Sequence, residues 1–322
     1  MATRYLRNTV ILAKIESTYG TDPTPTEAAN AMLISDVSIT PLASQNVDRN
    51  LVRPYMGGSE QLIGPVSVEI AFSVELAGAG AAGTAAPYGP LLRACGFAET
   101  LTASVRAEYN LVTPVADSVT IYGFWDGAKH VVKGCRGSVA IDLTSGSRPL
   151  LKFKFTGLDG GITATSPSAL TLSAFKTPLV VSEPNTGDVT LGCTYTAATP
   201  TLTGGTGYPS QGLSLDLGNS VQYLPLLGGE AVEVTDRSVS GSFVLDLTAA
   251  NEATFMTNVK ANTLQAVGLM HGTVAGNKVL IFMPAVQLTN PQKVNVNGKL
   301  MIGFDLRVLP SSGNDELKIV VH

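Results

Sequence analysis

The sequence predicts a mainly β fold: two tandem sandwich- or barrel-like repeats, each with a short flanking helix, plus an extended N-terminal arm and a β-containing connector. Three observations predict it. Strand-length segments with apolar residues at every second position recur along the chain, the signature of half-buried strands. Two segments, "PYMGGSEQLIGPVSVEIAFSVEL" (54–76) and "PLLGGEAVEVTDRSVSGSFVLDL" (225–247), align without a gap at a spacing of 171 residues. The elements around each segment also follow one order, which makes the pair an internal duplication rather than a chance match.

In the aligned pair, Pro54, Gly57, Gly58, Ser67, Val68, Phe72 and Leu76 recur as Pro225, Gly228, Gly229, Ser238, Val239, Phe243 and Leu247. Met56 falls opposite Leu227, and Glu75 opposite Asp246.

Residues 1–33 read as an irregular arm. The prolines of "GTDPTPTEAANA" oppose a long helix or strand before Ala28. The first repeat, 34–160, opens with the β-like "LISDVSIT". After a loop, Val66, Val68, Ile70, Phe72, Val74 and Leu76 alternate with polar or small residues. "PYGPLLRACGF" suits a short helix with Pro90 in its first turn. A long connection leads to "SVTIYGFWDG" and then to a hairpin. There Val139, Ile141 and Leu143 alternate on one side of a "TSGS" turn, and Leu151, Phe153 and Phe155 on the other.

The connector, 161–211, is rich in Thr, Ser, Pro and Gly but holds apolar islands at 179–181 and 189–193, so an ordered, strand-containing segment is expected. The second repeat, 212–310, retraces the first. "GLSLDLGN" is a strand, the repeated stretch gives a long strand ending at Leu247, and "TAANEATFMTNVK" is a helix capped by Thr248. "TLQAVGLMHG" is a strand, and "KVLIFMPAVQLTN" pairs with "LMIGFDLRVL", Pro284 marking an edge or bulge. Residues 311–322 close the chain.

Composition narrows the function. Charged residues make up 14% of the 322 residues and hydrophobic ones 44%. No apolar run reaches the roughly 18 residues of a membrane span, and the basic N-terminus has too short an apolar stretch for a signal peptide. Low charge without a membrane span fits a subunit that hides much of its surface against neighbours. The net charge of −4 is scattered, leaving no basic patch to grip nucleic acid. Cys95, Cys135 and Cys193 are too few and too separated for a disulfide framework or metal spacing, and read as buried free thiols.

Enzymatic signals are thin. His130, His271 and His322 are far apart and read as surface or half-buried, and no nucleophile elbow, P-loop or CxxC occurs. Gly57–Gly58 and Gly228–Gly229 sit among apolar residues and acids, which suits a flexible loop or hairpin rather than a phosphate cradle. "TDRS" (235–238) reads as a surface ion pair in a turn, and Trp125 as a packing residue. The acids Glu69, Glu75, Asp142, Asp246 and Asp305 lie between apolar neighbours and so point away from the core. They are either ordinary solvated surface or one shared, water-filled, negatively charged surface, which Lys152 and Lys154 keep from being uniformly acidic.

"ILAKIESTYGTDPTPTEAANAMLISDVSI" resembles the N-terminal arm and first strand of the major tail tube proteins of long-tailed, siphovirus-like bacteriophages, and "LDLGNSVQYLPLLGGEAVEVTDRSVSG" resembles their strand–loop–strand segment. The resemblance implies a non-enzymatic virion protein without cofactor or metal. In that family, strands of adjacent subunits join around a channel and rings stack into a tube that delivers viral DNA. Two tube-like units per chain then imply trimeric, pseudo-hexameric rings. The five acids become candidate channel-lining residues, with Glu75 and Asp246 equivalent. Gly57, Gly58, Gly228 and Gly229, together with the arm 2–31, become candidate ring-stacking contacts, and removal of the arm is expected to abolish tubes but leave folded protein. The implied partners are other copies of the chain, tape-measure, tail terminator and baseplate or tail-tip proteins, and double-stranded DNA that passes without specific binding. The implied place is the virion tail, assembled in the host cytoplasm, with no membrane partner. A capsid decoration protein is the main rival; a secreted carbohydrate-active β-sandwich would need more than the 6% aromatic residues present.

Overall fold

The computed structural model describes residues 3–322, so Met1 and Ala2 of the expected arm lie outside the described residues. A 3-10 turn (Leu6–Asn8) leads into β1 (Thr9–Ile15), in which Ile11, Leu12 and Ala13 are wholly buried. Helix α1 (Glu27–Asn30) and the short β2 (Ala31–Met32) precede β3 (Ser35–Ser44). Two short strands, β4 (Val47–Asp48) and β5 (Gln61–Leu62), close the base of an exposed arm. Then come β6 (Val66–Glu75), helix α2 (Gly89–Ala94) and a hairpin of β7 (Phe97–Thr102) with β8 (Arg106–Leu111). β9 (Val119–Trp125) is followed by the long hairpin of β10 (Ala128–Thr144) and β11 (Leu150–Ala164).

The connector supplies β12 (Val189–Leu191), β13 (Thr194–Thr196), β14 (Thr201–Thr203) and β15 (Thr206–Tyr208). Next are β16 (Ser210–Asp216), the hairpin of β17 (Asn219–Leu226) and β18 (Gly229–Arg237), and β19 (Ser240–Leu245). Helix α3 (Ala249–Lys260), β20 (Leu264–His271), β21 (Val279–Val296), β22 (Lys299–Leu309) and β23 (Lys318–Val321) complete the chain.

Alternation decides what each strand buries. Phe72, Phe153 and Phe155 from β6 and β11 face one side, with ring centroids 5.7–6.0 Å apart. Leu91 and Leu92 of α2 close the same core. In the second half, Phe243 meets Phe304 at 6.0 Å, and Phe255 of α3 lies 5.6 Å from Phe304. Truncating a buried ring of this kind to Ala costs about 3–5 kcal/mol. Turn chemistry fits the joints: Gly146 (φ 81) sits in the β10–β11 turn, and Asn297 and Gly298 (φ 52 and 86) give β21–β22 the two left-handed residues of a tight hairpin.

The antiparallel neighbours in the first half run β3–β6–β11–β10–β9–β1, and in the second half β16–β19–β22–β21–β20–β12. The two orders are the same, with an arm between the first two strands and a helix after the second in each. β10 joins the halves. Its outer edge is divided, Ala128–Cys135 pairing with β9 and Ala140–Thr144 with β16. β23 makes a second tie by pairing with both β21 and β8.

Several expectations are corrected. Among the described residues no pairing links the two ends of this sheet, so neither half closes a barrel within one chain. The N-terminal region is not a free arm, because β1 pairs along its full length with β9. The prolines that oppose regular structure lie at 23 and 25, beyond this strand. Just after β1, the Glu16 carboxylate is buried and accepts from Ser118 and Thr120 hydroxyls and from the Gly20 and Gly134 amides at 2.6–2.7 Å. Removing residues 2–31 would strip a core strand, so a folded remainder is not expected. The "long strand" of the second repeat is three strands, β17 and β18 folding out as a hairpin before β19. Arg237 of "TDRS" is no surface pair: it reaches Glu316 at 2.8 Å with both side chains about 10% exposed. His271 is buried, its Nδ1 2.8 Å from the Thr186 hydroxyl. Pro284 does fall at a bulge, between Met283 and Val286 in the pairing with β20.

A candidate channel face and its interface loops

Cross-strand register brings the five acids to one face of the sheet. Glu69 lies opposite Thr156, and Glu75 and Asp142 flank Leu150 from either side. Across the junction Asp142 faces Ser214, which faces Ser242, which faces Asp305. Asp246 follows two residues beyond Val244 and so points the same way. The opposite face carries the phenylalanine core.

The face is polar but not acidic. Lys152 pairs with Asp142 at 2.7 Å, Lys154 with Glu69 at 3.4 Å and Arg148 with Glu75 at 3.1 Å, and Lys299 pairs with Asp246. Asp305 accepts from the Asn290 amide at 2.9 Å. Burial pushes the Asp142 carboxyl up, but hydrogen bonds from Lys152 and Thr144 outweigh it and hold the group below its ordinary range. Such part-exposed pairs are worth under about 1 kcal/mol each. Their main effect is on the field over the surface, since four of the five carboxylates have a countercharge beside them.

One pair recurs between the halves. Arg148–Glu75 and Lys299–Asp246 occupy the same place relative to the Phe72–Phe153 and Phe243–Phe304 rungs, at the same end of the face. The other charges do not recur: Lys152 and Lys154 correspond to Gly303 and Asp305, and Glu69 to Ser240. Sequence reasoning missed Asp216 and Arg307, which lie on this face on either side of Ser240. The alternation of "LSLDL" carried the signal for Asp216.

The glycine pairs sit at or near the tips of the two arms. Gly228 (φ 87) and Leu227 form the two-residue loop joining β17 to β18, and Gly57 and Gly58 lie in the arm between β4 and β5. Met56 and Leu227, aligned in the sequence, are both fully exposed, and Tyr55, Val52 and Leu226 are exposed beside them. Both arm tips therefore present apolar side chains to solvent. The second arm is anchored midway along β18. Arg136 Nη1 donates to the Val232 carbonyl at 2.9 Å, and the Val232 amide donates to the Tyr19 hydroxyl at 2.5 Å.

Among the described residues no three His, Cys, Asp or Glu side chains gather as metal ligands. Cys95, Cys135 and Cys193 are free and buried, and burial pushes all three thiols up, away from the reactive thiolate. Among the described residues no helix is long and apolar enough to cross a membrane.

A family model described as phage tail tube protein matches residues 7–307. No curated protein sequence matches the chain.

Proposed function

The chain belongs to the phage tail tube protein family, a structural and non-enzymatic family of the virion tail whose members assemble with themselves, and from that premise we propose a trimeric, pseudo-hexameric ring. Each chain carries two tube units, the product of a duplication, over residues 34–160 and 212–310. Three chains then supply six equivalent places around a channel, and rings stack into a tube through which viral DNA is delivered. The observation that carries this reading is the repeated strand order of the two halves, joined edge to edge where β10 meets β16. A single chain therefore already contains one junction between neighbouring places, and the barrel missing from one chain closes in the assembly.

The polar face becomes the channel wall. Glu75 and Asp246 sit at equivalent places, each with its basic partner; Asp142 lies between them across the sheet, and Glu69 and Asp305 line the same face. Lys152, Lys154 and Lys299 are engaged by carboxylates, so DNA phosphates meet no unpaired cluster of cations. DNA slides without a specific grip. The arms around Gly57–Gly58 and Gly228–Gly229 make the contacts between rings. Tape-measure, terminator and tail-tip proteins meet the tube inside and at its ends, after assembly in the host cytoplasm.

Antibody labelling of intact virions tests the reading. Antibody against this chain is expected along the whole tail. Labelling confined to the head would favour a capsid decoration protein.

A further inference from the structure

Two open edges of the sheet belong together. β3 pairs with β6 alone among the described residues, and beyond Gln287 the edge of β21 that carries β20 has no further partner. These edges are the counterparts of the two that meet inside the chain. β16 occupies in the second half the place of β3 in the first, and the end of β21 occupies the place of the end of β10. The correspondence is residue by residue. Phe243 pairs with Phe304 as Phe72 pairs with Phe153, which sets β19 and β22 against β6 and β11. Ser214 then matches Ser38, and Val294 matches Asp142. Both first strands break register in the same place, between Ser35 and Ser38 and between Ser210 and Leu213. Each break holds a residue of positive φ, Asp36 (51) and Gly212 (105).

We infer that β21 of one copy pairs antiparallel with β3 of a second copy in the register of the internal β10–β16 junction: Gln292 opposite Thr40, Lys293 opposite Ile39, Val294 opposite Ser38 and Asn295 opposite Val37. The inference rests on the tube reading for the existence of an assembly and adds which edges meet, and how.

Two features set the limits of this ladder. Pro291 has no amide to donate, so pairing begins after it. At the other end, the internal junction brings Gly212 so close to β10 that a Cβ there would run into the Leu143 carbonyl. Asp36 carries a Cβ, so the ladder between copies stops at Val37, one pair short of the five inside the chain. The seam is also more polar. Ile141 and Leu143 meet buried Leu215 and Leu213 internally, whereas Lys293 and Asn295 would face Ile39 and Val37. Lys293 now reaches Glu252 of α3 at 3.4 Å. A lysine and a proline on an open edge keep it from pairing indiscriminately before assembly.

Paired cysteines test the register, and the buried native thiols do not compete. In Ser38→Cys/Val294→Cys, mild oxidation of assembled protein should yield covalent multimers, while monomer persists in either single variant. Asp142→Cys/Ser214→Cys, the equivalent pair inside one chain, checks that this position closes. Thr40→Cys/Val294→Cys, out of register, should link at least tenfold less. Assembled protein in which the internal pair closes but Ser38→Cys/Val294→Cys stays monomeric overturns the junction and leaves the tube reading standing, as does equal linking of the shifted pair. Should the variant alone fail to assemble, hydrogen exchange of the unmodified protein decides: amides within 37–40 and 292–295 gain protection on assembly, or the junction is wrong. Failure of the unmodified protein to assemble at all contradicts the tube reading and the junction with it.

Discussion

Two side chains show how far the fold depends on partners distant in sequence. The Arg237 guanidinium meets Glu316 and also donates to the Val112 carbonyl at 3.2 Å, tying the second arm to the start of the C-terminal segment. Removing one member of a buried pair strands the other charge. Arg237→Ala should therefore cost about 3 kcal/mol in denaturant unfolding, against under about 1 kcal/mol for Lys154→Ala in an exposed pair. Equal effects would contradict the burial assigned to Arg237. His271 adds a pH dependence. Burial holds its imidazole below the ordinary value, the Leu179 carbonyl acting the other way, so the unfolded chain takes the proton more readily. Its stabilising contribution is complete above about pH 6.5 and is lost as pH falls from there through the folded value. His130 and His322 are shifted the same way, first by burial. The melting temperature should fall between pH 7.5 and 5.5, and His271→Gln should flatten that slope; an unchanged slope would place the proton uptake elsewhere. None of this was legible in the sequence: Glu316 lies 79 residues from Arg237 and Thr186 lies 85 from His271, and no local pattern announces either pairing.

Elements whose physics is local were readable. The alternation of Val139, Ile141 and Leu143 against Leu151, Phe153 and Phe155 gave the long hairpin, and Thr248 caps α3 by accepting from the Asn251 amide. The elements misread were those decided by tertiary context. β1 is seven residues whose neighbours are supplied by β9, and prolines further along coloured the reading of the whole N-terminal region. The Gly228–Gly229 joint was readable as a loop or hairpin, but not the further break that separates β18 from β19. A shared polar face was one of two readings the acids allowed, and choosing between them requires the register across β10 and β16. The arms carry the prediction at this scale. Met56→Asp combined with Leu227→Asp should leave the melting temperature within about 1–2 °C, because both side chains are fully exposed in the single chain, yet reduce tube formation at least tenfold. Tubes of normal length and yield from this variant would remove the arms from the stacking contact.

At the scale of the whole molecule, one chain is an open sheet, and on the inferred junction it contains a copy of the interface it lacks. Low charge, exposed apolar arm tips and two unpaired edges are costs for a solitary protein and become interface once copies meet. In the proposed ring, the repeated Arg148–Glu75 and Lys299–Asp246 pairs would mark the same rim at each of the two places a chain fills. The places are alike in backbone and unlike in side chains, since Lys152 and Lys154 face Gly303 and Asp305 across the pseudo-symmetry. An assembled ring should therefore be three-fold in its chemistry and six-fold only in its backbone. A symmetry-resolved electron-microscopy map of the assembled tube tests this most directly. Three chains per ring, with Glu75 and Asp246 both facing the channel, is the result predicted. Six whole chains per ring, or both carboxylates buried between rings, would contradict it.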